Sequence, residues 1–533
     1  MSFKANDCQQ LSFFDSLSGL TAREQKALEN SWAKVFADEI FPEIDEQRFA
    51  VLYSNKASRP NTPVNVIIGA LIIKELFDLS DDEMVENLML DPRYQYALHT
   101  TSFEEQPLSD KTLSRFRKRC YDYESAYNVD LYHDCITDLG GKIARLMKLN
   151  SRIRRMDSMM IESNIRDLSR MELLYTCVAK LVCYLHKAGQ DDILEGLEHY
   201  YDPDDFNRVI YHNRSRDTSD KISGILKDAD LLLERCGSSY DEVTEYQLLI
   251  RCLSEQTVVE EAKRRLKTKE DGGMDSRILQ NPSDPDATYR DKAGKKHRGY
   301  VANLEETVGE NGSVVTDYQY DQNIHSDSQF MKEYLSSQEA QEEKVTVITD
   351  GAYSGEENQA LAKEKNIDLV TTDLTGRKVP EIYADFEFNE KGTRITRCPA
   401  GHTPRSSSYI SQTRQCRASF DRTLCATCPN KDKCRAKIHK RTAVVMISKG
   451  ASERAKQQRR MQTDEFRQLA RIRNGVETLP SILRSQYHVD NMFVRGLKRT
   501  KFFFGSKIGA LNFRKLFRYR KGLGHYAQNP AIA

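Results

Sequence analysis

Tryptophan is almost missing from this chain: one residue in 533, beside 14 prolines and 26 glycines. So little Pro and Gly excludes a collagen-like or low-complexity polymer. No apolar run approaches the roughly 20 residues a membrane helix requires, which excludes an α-helical membrane protein. The opening MSFKANDCQQLSFFDSLSGL has no continuous apolar segment behind a basic one, so no secretory signal is expected and the expected location is cytoplasmic. Net charge is nearly absent as well, since 80 Lys and Arg against 79 Asp and Glu leave +1. That average hides a local absence: no Asp or Glu occurs between Asn491 and Ala533. What is present is a soluble composition, 39% hydrophobic and 30% charged, long enough for about three domains. Twelve cysteines in a large chain without a signal imply a reducing compartment and thiols that are free or metal-bound.

The breaker cluster SRPNTP (58–63) predicts a helix from Thr62–Pro63 through VNVIIGALIIKELFDL. Ser80 and Glu83 have capping-box spacing, Asp91-Pro92 ends the helix they open, and Ser109 starts another. That last helix is cationic, with Lys111, Arg115, Arg117, Lys118 and Arg119. Residues 41–125 therefore read as a compact helical module, suited to DNA binding in the manner of a helix-turn-helix or to dimerisation. Residues 152–166 predict a strand that carries Asp157, and 167–270 are strongly helical. Two strands flank a turn at Asn311-Gly312, a hairpin signal. A helix (326–341), a buried strand ending in Asp350, a second helix and a strand (367–374) follow. With the helical segment set aside, a three-strand meander followed by alternating helices and strands builds a mixed sheet with helices on both faces.

This order puts carboxylates on the first strand (Asp157), at the end of the fourth (Asp350) and on a late helix (Glu477). Three carboxylates gathered from distant positions repel one another, and hard divalent cations such as Mg²⁺ or Mn²⁺ offset that repulsion. Two such ions support phosphoryl transfer. Arg473 lies one helical turn before Glu477 and Arg484 two turns after it, as a site beside a phosphate backbone would need. Each Asp taken alone reads better as a mere cap at a strand end or turn, and the pairing of Asp157 with Asp350 on compatible strands is what favours a site. Asp284 and Asp286 are rival ligands, read as turn formers beside Pro282 and Pro285. Lys292, Lys295, Lys296, His297 and Arg298 form a basic turn that either touches DNA or is merely solvated.

Cys398, Cys416, Cys425, Cys428 and Cys434 cluster within 376–450. Cys425-x-x-Cys428 with Cys434 has structural-zinc spacing, and Cys398 completes a set of four, with Cys416 and His402 as rivals. In the acid-free C-terminal stretch, cations including Arg495, Lys498 and Arg499 interleave with Phe502, Phe503, Phe504 and Phe513. That pattern predicts an electrostatic footprint for DNA, or aromatics turned inward beneath a solvated cationic face.

Several of these motifs occur together in bacterial insertion-sequence transposases of the DDE type, which the chain resembles. PVNVIIGALIIKELFDLSDDEMVENLMLDPRYQYAL followed by LSDKTLSRFRKR is similar to the N-terminal domain of that group. MDSMMIESN resembles its first-Asp motif and VITDGAYSG its second. Arg473, Glu477 and a basic residue seven further on resemble its Y-R-E-K signature, with Ala470 in place of Tyr and Arg484 in place of Lys. GLKRTKFFFGSKIGALNFRKL resembles its closing helix. The resemblance implies an α/β fold with an RNase H-like mixed-sheet core at 150–166, 271–375 and 470–520. Around it stand a helical N-terminal DNA-binding domain (1–145), a helical insertion (167–270) and a Cys-rich, zinc-binding insertion (376–450). It further implies Asp157, Asp350 and Glu477 as catalytic ligands of two Mg²⁺ (or Mn²⁺) ions, cleavage at terminal inverted repeats and strand transfer into target DNA. Arg473, Arg484, Arg115, Lys118, Arg119, Arg495, Lys498 and Arg499 are the expected contacts to double-stranded DNA. The expected assembly is a homodimer, nucleoid-associated and without a membrane partner. The competing expectations are a non-catalytic DNA-binding protein and a nuclease that only hydrolyses.

Overall fold

The computed structural model describes residues 1–6, 17–56, 58–101, 108–150, 152–211, 218–261, 263–292, 294–372 and 378–522. Its centre is a mixed sheet. Strand β1 (Ile153–Glu162) pairs antiparallel with β3 (Lys295–Gly309) on one edge and parallel with β5 (Val345–Thr349) on the other. The far edge of β3 is shared by β2 (Thr288–Lys292) and β4 (Gly312–Gln322), both antiparallel, while β6 (Ile367–Thr371) pairs parallel with β5. β1, β3 and β4 form the expected three-strand meander, and the alternating helices and strands follow it, but β2 is an additional strand in the stretch expected to be turn. The β3–β4 hairpin turns at Glu310 and Asn311, one residue earlier than expected, with Gly312 at φ 119°. The helices Asp327–Ser337 and Glu356–Glu364 connect the later strands.

Local start signals act as the sequence implies. Ser80 and Glu83 form a capping box, Asp91 caps the helix that begins at Pro92, and Ser109 opens the helix Asp110–Tyr127. The helix Val64–Leu76 begins one residue past Pro63 and is buried on nearly every side. A helix apolar all round belongs inside a protein, and this one lies against the C-terminal helix Leu497–Arg520. That closing helix is itself central. Phe502, Phe503, Phe504, Ile508, Leu511 and Phe513 are buried in one continuous core together with the N-terminal helices and one face of β3 and β4. Gly505 and Gly509 let Tyr318 and Ile72 approach where a Cβ would clash or crowd. The N-terminal helices thus share their core with the sheet.

The helical insertion has a core of its own, built from the helices Arg170–Lys187, Thr218–Cys236 and Thr244–Gln256, with Cys177 and Cys252 inside it. It ends in a short hairpin, Thr257–Glu260 with Lys263–Leu266. The Cys-rich stretch contains more regular structure than its composition implies. A four-stranded antiparallel sheet orders Ser406–Ile410, Gln415–Asp421, Thr442–Ile447 and Lys437–Ile438 over a small core that includes Phe386, Phe420 and Val445.

Candidate active site

β1 and β5 run parallel with Arg155 opposite Ile348. Two residues further along that register, Asp157 stands level with Asp350, just past the end of β5. Strand geometry therefore brings two carboxylates that are far apart in sequence to the same height on neighbouring strands. The turn after Asp350 is fixed locally: its Oδ1 accepts the Ala352 N–H at 2.8 Å. Tyr353, wholly buried, anchors the turn by donating its hydroxyl to Asn303 at 2.7 Å.

The late helix expected to carry Glu477 is divided. Helices Lys449–Arg460 and Asp464–Asn474 are followed by a 3₁₀ turn, Gly475–Glu477, and then by helix Thr478–Tyr487. Pro480 falls in the first turn of that last helix, where its missing N–H costs little. Glu477 sits at the junction, and Arg473 one turn earlier faces it at 3.1 Å. The same guanidinium lies 3.4 Å from Asp157 Oδ2 and 3.9 Å from Asp350 Oδ2. All three expected catalytic carboxylates therefore converge on one arginine. Burial, reinforced by the nearby charge of Asp350, pushes the Asp157 carboxyl up to about 6, against the opposing pull of Arg473 and Lys292.

The residue that seats this helix on the sheet was not singled out in the sequence. Arg155, 4% exposed, ion-pairs with Glu306 at 2.6 Å and donates to the Ile472 carbonyl at 2.7 Å. Lys515 of the closing helix reaches Glu306 from the other side at 2.7 Å. These two cations hold the Glu306 carboxyl down at about 2 despite its burial. One carboxylate thereby ties β1, β3 and the closing helix together, and Arg155 extends the tie to the helix carrying Arg473. The only sequence signal was a pair of arginines, Arg154 and Arg155, directly ahead of the first Asp motif.

The rival ligands have another role. Asp284 is completely buried and accepts from Ser163 Oγ, from the Tyr300 hydroxyl at 2.6 Å and from the Gly496 N–H at 3.1 Å. Asp286 accepts the Leu497 N–H at 3.0 Å. Together they cap the N-terminus of the closing helix, where exposed N–H groups and the helix dipole favour anions.

Several expected DNA contacts are engaged within the protein. Arg484 pairs with Asp490 at 2.9 Å and donates to the Met160 carbonyl. Arg495 donates to the Asn164 carbonyl and Lys498 to Ser125. Arg119 lies over the Tyr53 ring. Further along the closing helix, Lys501 pairs with Asp130 and Glu124, Lys507 with Glu75, and Arg520 with Glu39. Much of the acid-free segment's charge is thus balanced by acids from elsewhere in the fold. Arg115, Lys118 and Arg499 remain exposed. Arg117, their neighbour in sequence, is buried against Asp81 at 2.6 Å.

In the Cys-rich unit, Cys398, Cys425, Cys428 and Cys434 line one small void of about 20 Å³ together with His402. Burial and the neighbouring Cys398, Cys434 and Cys428 push the Cys425 thiol up to about 11. Cys416 lies apart, buried in the sheet with its thiol directed at the Gly392 carbonyl. Among the described residues no group of three or more His, Cys, Asp or Glu side chains stands in metal-holding geometry. For the carboxylates, donor chemistry suits a hard divalent cation, but the position between them is spanned by Arg473. For the thiols, donor chemistry suits zinc, but the shell is not closed. No helix among the described residues is long and apolar enough to cross a membrane.

Two family models match the chain. A transposase DDE domain matches residues 397–517, and a transposase domain of the DUF772 type matches residues 23–119. The first covers Arg473, Glu477, the four thiols and most of the closing helix, while Asp157 and Asp350 lie outside both. No curated protein and no solved structure matches the chain.

Proposed function

From these two matches, which indicate an insertion-sequence transposase of the DDE type, we propose that the chain cleaves DNA at the terminal inverted repeats of its element and transfers the ends to target DNA. Asp157, Asp350 and Glu477 are the catalytic set. The observation that carries this reading is their convergence on Arg473 from two strands and a helix junction. The order of strands, a meander followed by two parallel strands, supports an RNase H-like core. A divalent cation held by the three carboxylates would supply Lewis-acid stabilisation of the charge that develops on phosphate oxygens. The protein's own residues fix the geometry: β1 and β5 hold Asp157 and Asp350 at one height, and Arg155 seats the helix that delivers Arg473 and Glu477. Exposed Arg115, Lys118 and Arg499 are the cations best placed to meet DNA phosphates. Synapsis of two ends makes a homodimer the expected assembly.

The Cys398, Cys425, Cys428 and Cys434 thiols are read as a structural zinc site that organises a unit with a small core, with Cys416 excluded by its place in the sheet.

The test uses the full chain, Mg²⁺ and a supercoiled plasmid bearing the sequences that flank the gene. Cleavage and joining are expected. Asp157→Asn, Asp350→Asn and Glu477→Gln should each lower cleavage on the order of a thousandfold, equivalent to several kcal/mol of transition-state stabilisation, while DNA binding persists. Cleavage without joining would make the chain a nuclease, and unchanged cleavage in the variants would remove the site. Elemental analysis should find one zinc per chain, lost in Cys425→Ser.

A further inference from the structure

One cation here serves three anions, and serves each of them poorly. A guanidinium that binds a carboxylate well does so through two short parallel bonds of about 2.7–2.9 Å. Elsewhere in this protein Arg459 holds Asp385 that way, at 2.7 and 2.9 Å, and Arg460 holds Asp368 at 3.1 and 2.8 Å. Arg473 instead stands at 3.1, 3.4 and 3.9 Å from three different carboxylates. Its Nε is buried and finds no acceptor among the described residues. The side chain is only 15% exposed, so this is an enclosed placement, and the guanidinium is held by charge more than by hydrogen-bond fit. Three carboxylates are the donor set of a hard divalent ion, which would concentrate charge among them as a broad, planar monocation cannot.

We propose that Arg473 is the resident counter-ion of the metal-free site. It neutralises Asp157, Asp350 and Glu477 until a divalent cation displaces it, and metal loading is thereby coupled to release of an arginine on the face where DNA phosphate must lie. Two conformations of one side chain follow: inward on the carboxylates without metal, outward and available to phosphate with it. The role differs from simple phosphate positioning because it makes Arg473 a competitor of the metal.

The proposal rests on Asp157, Asp350 and Glu477 being the metal ligands, and the experiment separates the two. Metal-free full-length protein is titrated with Mn²⁺ by calorimetry, with no DNA present, as wild type, Arg473→Gln, Arg473→Lys and Asp157→Asn. Removing charge-assisted contacts that the ion must break should tighten Mn²⁺ binding by about tenfold in Arg473→Gln. Arg473→Lys keeps the charge but cannot span three carboxylates, so it should fall between Gln and wild type. Mn²⁺ should also raise the melting temperature of Arg473→Gln more than that of wild type. Equal or weaker Mn²⁺ binding in Arg473→Gln would overturn the proposal. If that variant does not fold, Arg473→Lys decides by the same criterion. Asp157→Asn should abolish the binding, and unchanged binding there would overturn the ligand assignment itself.

Discussion

The protein holds two clusters of converging acids, and they are built on opposite principles. Around Asp284 every donor is a neutral hydroxyl or backbone N–H at close range, and the carboxylate is sealed from solvent. Around Asp157 the carboxylates face one another, share one stretched arginine and keep access to solvent. A buried acid with a full complement of donors rigidifies a fold. An acid cluster whose members face one another across a shared cation stores repulsion that an incoming divalent ion can relieve. Sequence made both clusters candidates for metal, and the hydrogen-bond inventory separates them.

Four substitutions sharpen that contrast. Asp284→Ala strips acceptors from Tyr300, Ser163 and Gly496 inside the core and should cost about 3–5 kcal/mol in urea denaturation. A cost below about 1 kcal/mol would erase the distinction. Asp157→Asn should do the reverse. The fold raises that carboxyl from 3.8 to about 6, so its ionised form carries a stability cost that is absent below pH 3.8. The cost grows as pH rises towards 6 and is fully present above it. The variant should therefore be more stable than wild type by about 1–2 kcal/mol at pH 8 in EDTA, with the gain vanishing near pH 4. The smallest effect applies the same contrast to cations. Lys118→Ala, at an exposed site, should lower the salt dependence of DNA binding by about one unit of slope without changing stability. Arg117→Met, at its buried neighbour, should change stability and leave that slope alone. Identical behaviour of the two would mean that burial does not sort these charges.

Much of the local structure was legible because its causes are local. The capping box at Ser80, the helix start at Ser109, the break at Asp91-Pro92 and the β3–β4 hairpin each depend on residues within a few positions of one another. Asp350 was legible as a candidate because the apolar run VTVIT ends at it, whereas Asp157 lies within β1 and Glu477 at a helix junction. The closing helix turns its aromatics inward as its pattern implies, but much of its cationic face is paired within the fold. Its sequence shows a one-sign charge pattern, but the acids that answer Lys501, Lys507, Lys515 and Arg520 come from residues 39–130 and from Glu306. No local window contains both partners. Arg155 escaped notice for the same reason, since its acceptors lie on β3 and on the helix before Glu477.

The sequence by itself determined where many of the helices and central strands start and stop, and which acids, thiols and cations were available, because backbone preference, capping and turn chemistry act over a few residues. Only the tertiary structure decided which charges neutralise one another. It brought Asp157 level with Asp350, closed Asp284 into the cap of a distant helix, gathered four thiols around one void and set Arg473 among three acids. Electrostatic and hydrogen-bond energies depend on separation in space, and chain folding sets that separation independently of distance along the sequence.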